Sequence, residues 1–534
     1  MKTNRLYAFA IGLASVVASA ALFSGCGKSQ SNAPVPDAFK STSPKSAVPT
    51  SFNDVAKNLD AGGDFYLYVS TEQWLTGLSD KISKWRGLFS DMPMDDNDRS
   101  NMDKVFNIAT RVVSDSGLED ISGFGMSSIA IDKDLYRTKM VLHHYPGKGT
   151  GFGWTMFGKA PHALNGLDMA PASTAIAIFS DADFAQLWSV VQDEVKHSGF
   201  PEAQQFLDQV PAQFKQATGM DWDKTIGSLG VEYGILFTLD TTKKISIPVP
   251  QAGMVEIPEP GLLIAVKVDD DTVFNRLEQL LTQTGMEVIR ADKGDVKMRT
   301  VAVPLPLPME VRPTVATGGG WLFIATSDAL VQEALEVKSG AQPGLKSTDE
   351  FKKLSQGMPT TGNRFSFVSK RFGTNFINVE RQMVAASPNA QSPGVSQMMS
   401  QLMDPDKAQD GFSVGSTTEE GWVAMLNGSQ SGAKVAMLLP AVAVGGLLAA
   451  IAIPNFVKAR ETAQRNACIN NLRQIDAAKD QWALENKKNT TAVPTEDDIT
   501  PYLKGGMPVC PAGGVYTIGS ISTIPSCSIH GQLP

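Results

Sequence analysis

Apolar residues are distributed along the chain in three different ways. Leu6–Leu22 is a continuous apolar run behind Lys2 and Arg5 and ends in small residues, which is the arrangement of a secretory signal and not of a fold element. Between about Ser51 and Ser431 the pattern switches repeatedly between two periods. Short runs of β-formers pass through a polar turn into stretches with helical spacing. The clearest units are DFYLYVSTEQWLTGLSDKI from Asp64, STAIAIFSDADFAQLWSVVQDEV from Ser173 and LLIAVKVDDDTVFNRLEQLLTQTG from Leu262, with weaker copies from Trp321 and Asn363. Ser180, Asp269 to Asp271 and Ser327 stand where the period changes and suit N-caps, because a side-chain oxygen there can accept from the first unpaired helix amides. The third regime, Val435 to Val457, has no charged residue and, at about 1.5 Å per residue, is long enough to span a hydrocarbon core.

Between the units lie strand-like runs without helices, at Met126 to Ile131, Thr138 to His143 and Ile235 to Leu239. ISIPVPQAGMVEIPEP and VAVPLPLPMEVRP are rich in β-formers but studded with proline, which cannot donate to a central ladder and so fits edge strands or strand-entry loops. These patterns predict an α+β fold of mostly antiparallel sheets with helices on one face, in two or three subdomains with breaks near Ala170 and Thr348. The expected order is a signal peptide over 1–25 and a flexible tether over 26–50, rich in Ser, Pro and Lys. Subdomains follow over 51–169, 170–347 and 348–431. A long helix over 432–488 and a small β-containing tail over 489–534 complete the chain. The βα units, the proline-rich strand pair and GGGWLFIATSDALVQEAL resemble the large bacterial envelope proteins of the DUF type, a likeness that brings no activity with it.

With 534 residues, 42% of them hydrophobic and 19% charged, the chain is globular and large enough for several cores. A net charge of -8 opposes nucleic-acid binding, which calls for a basic surface. Candidate chemistry is sparse. GKGTGFG at Gly147 to Gly153 lacks the closing Gly-Lys-Ser/Thr of a phosphate loop and reads as a hairpin loop. His143 and His144 are neighbours on a strand and point to opposite faces, so one ion cannot take both. His162, His197 and His530 are isolated in sequence. The acidic runs DDNDRS at Asp95 and DPDKAQDG at Asp404 miss the spacing of a calcium loop. No nucleophile elbow or zinc-protease motif is present. The expectation is a protein that is not an enzyme and has no cofactor and no metal.

Leu22-Phe23-Ser24-Gly25-Cys26 resembles the lipobox of bacterial lipoproteins, with Phe23 where leucine is usual. That resemblance implies cleavage before Cys26 and lipidation of its thiol. In the late apolar run, Ala441, Gly445 and Ala449 repeat every four residues, as do Gly446 and Ala450, a ridge that lets helix backbones approach closely. After Pro454 the spacing becomes amphipathic, with Cys468, Leu472, Ile475 and Trp482 on one face. LLAAIAIPNFVKARETAQRNACINNLRQIDAAKDQWALENKK and the tail DDITPYLKGGMPVCPAGGVYTIG resemble the N-terminal helix and head of type IV pilins and type II secretion pseudopilins over Ala433 to Pro534. The family implies an apolar half-helix that packs in a filament or a membrane and a polar half that supports a small head. This chain departs from the family at Ala433 and Met437, where phenylalanine and glutamate are usual, and at Pro440, whose ring disturbs the first turns. The departures favour a helix kept as an anchor or packing element over one that builds a filament.

These features predict a non-enzymatic, lipid-anchored envelope protein with a structural or assembly role linked to a type IV pilus or type II secretion. Its partners would be the membrane, other pilin-like subunits or secretion components, and not nucleic acid. The alternative is a lipid-anchored periplasmic binding protein that uses the helix only as an anchor. Most of the chain would lie in the periplasm, on either the inner or the outer membrane. Lys458, Arg460 and Arg465 after the apolar run favour an inward C terminus, whereas a disulfide in the tail favours an oxidising exterior. Cys510 and Cys527 flank VYTIGSISTIPS in a tail with little core of its own, and a disulfide between them is expected, with Cys468 left as a buried thiol on the helix stripe.

Overall fold

The computed structural model describes residues 49–89, 95–249, 253–283, 285–302, 311–385, 408–434, 464–503, 506–511 and 513–532. Cys26, the tether and the ridge from Ala441 to Pro454 lie outside the described residues. The chain separates into two compact units, Gly27–Leu438 and a second that contains Leu439–Pro534.

The larger unit is α+β, as its alternating patterns require. Its strands, in chain order, are β1 (Phe65–Ser70), β2 (Ile121–Asp132), β3 (Leu135–His144), β4 (His162–Ala163), β5 (Thr174–Asp181), β6 (Leu229–Val249), β7 (Gly253–Val268), β8 (Val288–Lys293), β9 (Val296–Val301), β10 (Thr314–Gly318), β11 (Trp321–Ala325), β12 (Thr361–Gly362), β13 (Arg364–Val368), β14 (Gly411–Thr418) and β15 (Gly421–Gly428). Thirteen of them form one sheet in the order β1-β2-β3-β15-β14-β13-β5-β6-β7-β11-β10-β9-β8, and β4 pairs with β12 beside it. Every pairing is antiparallel. The sheet runs across the breaks expected near Ala170 and Thr348, because β13 inserts between β14 and β5 and hydrogen-bonds to both.

Each βα unit read from the sequence is a strand followed by a helix: β1 by Leu78–Phe89, β5 by Phe184–His197, β7 by Thr272–Gln283, β11 by Asp328–Ser339 and β13 by Lys370–Ala385. Ser327 caps its helix through the Leu330 amide. Ser180 does not cap. The strand continues through Asp181, and Asp183 accepts from the Gln186 amide instead. Asp95 likewise caps the helix Asp96–Ser116 through the Asp98 amide, which is a solvated-turn role. The glycine run at 147–153 is not a hairpin loop. It leaves β3 and opens the one-turn helix Phe152–Thr155.

The proline-rich segment forms the outer part of the β6–β7 hairpin. β6 pairs with β5 only as far as Thr238, and β11 reaches β7 only from Leu263 to Lys267. Beyond the irregularity between Asp240 and Lys244 the two strands pair with each other alone. Pro258 and Pro260 therefore sit where one strand side carries no ladder, and the missing amides cost no bond. The main core lies against the sheet centre and includes Phe179, Trp321, Phe323, Phe351, Phe365, Phe367 and Phe412.

The smaller unit is a helix over 464–485 with a small head. The head holds β16 (Tyr516–Thr517), β17 (Ser526–Cys527) and β18 (Gly531–Gln532) in one antiparallel sheet. Cys468, Leu472 and Ile475 are fully buried and Trp482 nearly so, which makes the predicted stripe the face that the head covers. Lys479 is buried on the same helix and donates to the Thr523 carbonyl at 2.5 Å, 3.6 Å from Asp476. Among the described residues no helix is long and apolar enough to cross a membrane.

Candidate functional site

Three thiols and an imidazole converge in the smaller unit. The sulfurs of Cys468, Cys510 and Cys527 and a ring nitrogen of His530 all lie within 4.8 Å of one another. Cys510 Sγ is 3.7 Å from Cys527 Sγ and 3.5 Å from His530 Nδ1, and Cys527 Sγ is 3.8 Å from that nitrogen. The cysteines are buried and the histidine is half-buried. Cys468 comes from the helix. Cys510 comes from the loop before β16, Cys527 from β17, and His530 from the turn that leads to β18.

Close packing around the sulfurs is set by backbone. A side chain at Gly514 would start 2.6 Å from Cys527 Sγ and 3.3 Å from Cys510 Sγ, so only glycine lets this strand entry pass. The Ile529 amide donates to Cys527 Sγ at 3.4 Å, and the Tyr516 hydroxyl donates to Cys468 Sγ at 3.5 Å. Asn471 holds Tyr516 in place by donating to its hydroxyl at 3.0 Å. Burial pushes the Cys468 thiol up to about 11, further than the Tyr516 donor pulls it back. Burial, with Cys468 beside it, also raises the Tyr516 phenol.

Cys510 and Cys527, expected to pair, are brought into contact, but their separation is that of two sulfur atoms touching and not the roughly 2.05 Å of a bond. Cys468 and His530, read as a lone buried thiol and an isolated histidine, join them. The Cys527-x-x-His530 spacing was the available signal, since two residues between donors is a common chelating interval.

The larger unit carries two polar constellations. At the end of β5, Asp181 is nearly fully buried and accepts from His162 Nε2 at 2.9 Å and from Asn363 Nδ2 at 2.9 Å. His162 Nδ1 lies 2.8 Å from the Ala163 carbonyl. Both ring nitrogens thus face acceptors, which favours the doubly protonated ring. Burial opposes that charge, but the hydrogen bonds to Asp181 and to the Ala163 carbonyl and the charges of Asp181 and Glu232 together outweigh it, and the His162 pKa is raised. A raised folded pKa stabilises fully below the unfolded value of about 6.5, and the gain is lost as pH rises through the folded value. Wild type should therefore exceed His162→Gln in stability in mildly acid buffer, and the two should converge at alkaline pH. Urea midpoints measured across that range check it, and a constant difference would oppose the assignment. Nearby, Asn165 donates to Glu232 at 2.8 Å, and burial raises the Glu232 carboxyl.

The second constellation is an open cleft of about 670 Å³ lined by Asn165, Asp168, Lys267, Trp321, Lys338 and Lys346. Lys267 and Lys338 stand 5.2 and 5.7 Å from the centre of the Trp321 ring, and burial, then the Lys267 charge, lowers the Lys338 ammonium. Lys346 is bonded to Asp168.

Residues 160–392 match the family model described as Protein of unknown function (DUF3352). The match covers less than half of the chain. No match is found among curated proteins. The DUF3352 span begins two residues before β4 and ends past β13, so it holds both constellations and excludes the thiol cluster.

Elsewhere the sequence candidates go to structural roles. His143 is buried, shares a 2.6 Å hydrogen bond with Ser122 Oγ and is shifted down by burial. His144 packs edge-on against Trp154 with centroids 4.6 Å apart. Asp115, Asp193 and Glu194 cluster, but around the Arg111 guanidinium, which reaches all three.

Proposed function

We propose that the chain is a non-enzymatic, lipid-anchored envelope protein in which the large sheet is a scaffold and the pilin-like tail is an anchoring or assembly element. The observation that carries the reading is the tail. An amphipathic helix buries Cys468, Leu472, Ile475 and Trp482 under a small β head, which is the division of labour that the pilin and pseudopilin likeness implies. Lipid on Cys26 would hold the protein to the membrane, and the apolar run before residue 464 would pack in the bilayer or against other pilin-like subunits or secretion components. The cleft beside Trp321 supports a second reading, a binding protein for a small anionic ligand, because Lys267 and Lys338 both stand over the Trp321 ring and bring two cations to one wall of the cleft.

The test begins with Cys26→Ser, which should abolish acyl labelling of the chain. Unchanged labelling would remove the lipoprotein reading. Recovery of secretion or pilus components with the solubilised wild type supports the assembly role. An anionic small molecule retained by the purified chain, and lost on Lys338→Ala, supports the binding role.

A further inference from the structure

We propose that the smaller unit binds one zinc ion through the sulfurs of Cys468, Cys510 and Cys527 and through Nδ1 of His530. Zinc takes sulfur at about 2.3 Å and imidazole nitrogen at about 2.0–2.1 Å in a tetrahedral shell. The edges of such a tetrahedron come to about 3.8 Å between two sulfurs and about 3.6 Å between sulfur and nitrogen. The observed separations among Cys510, Cys527 and His530 are 3.7, 3.5 and 3.8 Å. The donors therefore stand at tetrahedral edge lengths, and the fourth, on the helix, lies within 4.8 Å of the rest.

The surroundings fit thiolates better than thiols. A thiol is a weak acceptor, yet the Ile529 amide and the Tyr516 hydroxyl both point at sulfur. Such donors disperse the charge of a metal-bound thiolate and hold it in orientation. Three thiolates and one histidine form a closed, soft donor set that favours zinc over hard cations. Binding releases one proton from each of the three thiols, and the zinc complex then carries a net charge of one minus, which those donors offset. The site is also placed where a small unit needs it. Its apolar cluster is short, and the ion would tie the helix residue Cys468 to three positions of the head. This inference goes beyond the envelope role and does not depend on Cys26.

The full chain, purified in detergent without reductant or chelator, should contain about one zinc per molecule, the stoichiometry of a closed four-ligand site. Its Cys468, Cys510 and Cys527 peptides should all alkylate as thiols once the metal is removed. His530→Ala should weaken zinc binding by at least about 100-fold, and Tyr516→Phe, which keeps all four ligands, by about 10-fold. Should a ligand variant fail to fold, the reduced wild type provides the reading. Cobalt(II) added to it should give sulfur-to-metal charge transfer and the strong visible bands of a tetrahedral ion, both erased by zinc. A Cys510–Cys527 peptide linked by a disulfide in the unreduced protein would overturn the proposal. So would reduced protein that takes up no cobalt. If Cys26→Ser loses its lipid but keeps its zinc, the two proposals stand apart as stated.

Discussion

Phe179→Ala should lower the stability of the larger unit by about 3–5 kcal/mol, the range for deleting a buried aromatic ring. Phe179 sits in β5 at the middle of the sheet and is 2% exposed. Its cross-strand partner on one side is Phe365, whose ring stacks on it at 5.1 Å and 10°. Its partner on the other side is Gly234, and Gly166 covers it from the neighbouring turn. A Cβ at Gly234 or Gly166 would begin 2.3 or 2.5 Å from the ring, so the two glycines form a slot of fixed width. The ring cannot be replaced by collapse of these walls, because neither glycine has a side chain to move. Gly234→Ala alone should cost about 1–3 kcal/mol by overfilling the slot. Combined with Phe179→Leu it should cost less than the sum of the two, since each change relieves the other. Urea titrations of the four proteins decide this, and strict additivity would rule out the slot.

Asn363→Leu should cost a similar amount, about 3–5 kcal/mol, for a different reason. Asn363 is buried and its amide makes three hydrogen bonds inside the fold. Its nitrogen donates to the Ala160 carbonyl at 2.8 Å and to Asp181 at 2.9 Å, and its oxygen accepts from the Thr417 amide at 2.8 Å. Leucine fills the same volume, takes the acceptor from the buried Thr417 amide and removes one donor each from the Ala160 carbonyl and from Asp181, which keeps His162. Asn363→Asp separates shape from charge. It puts a second carboxylate against Asp181, so one of the two must bind a proton. The deficit of that variant should shrink as pH falls through the raised carboxyl pKa, whereas that of Asn363→Leu should not. Parallel pH dependences would mean that Asn363 acts only as packing.

Much of the larger unit could be read locally because each βα unit carries its own signals. Ala175, Ala177 and Phe179 in β5 are buried at every second position, the strand period, and the helical spacing begins just beyond Asp183. The cap lies three residues beyond Ser180 because Asp181 and Asp183 are equally good acceptors for a helix amide, and Asp181 is drawn into the sheet and away from that role. Strand order was not legible. β3 pairs with β15, and nothing local to Thr138 or Leu426 states that partnership. The proline-rich hairpin was read as edge-like from its composition and is central by position, yet its outer half has the free strand sides of an edge. In the tail, the helix stripe was visible as periodicity. The convergence of Cys468 with Cys527 and His530 was not, because it joins a helix to a head through contacts distant in sequence.

The seam formed by β13, β14 and β15 fixes an order of assembly. These strands are the last of the sheet to be synthesised, and they join the β1–β3 set to the set that begins at β5. Until they arrive, β3 and β5 each present an open row of amides and carbonyls, and such rows pair readily with any extended chain nearby. Closing contacts this far apart in sequence is slow, so the nascent protein passes through a period with two sticky borders. A chain that stops before Gly411 would keep both β3 and β5 without their β14–β15 connection, and it would meet quality control as an aggregation-prone intermediate and not as a smaller working domain.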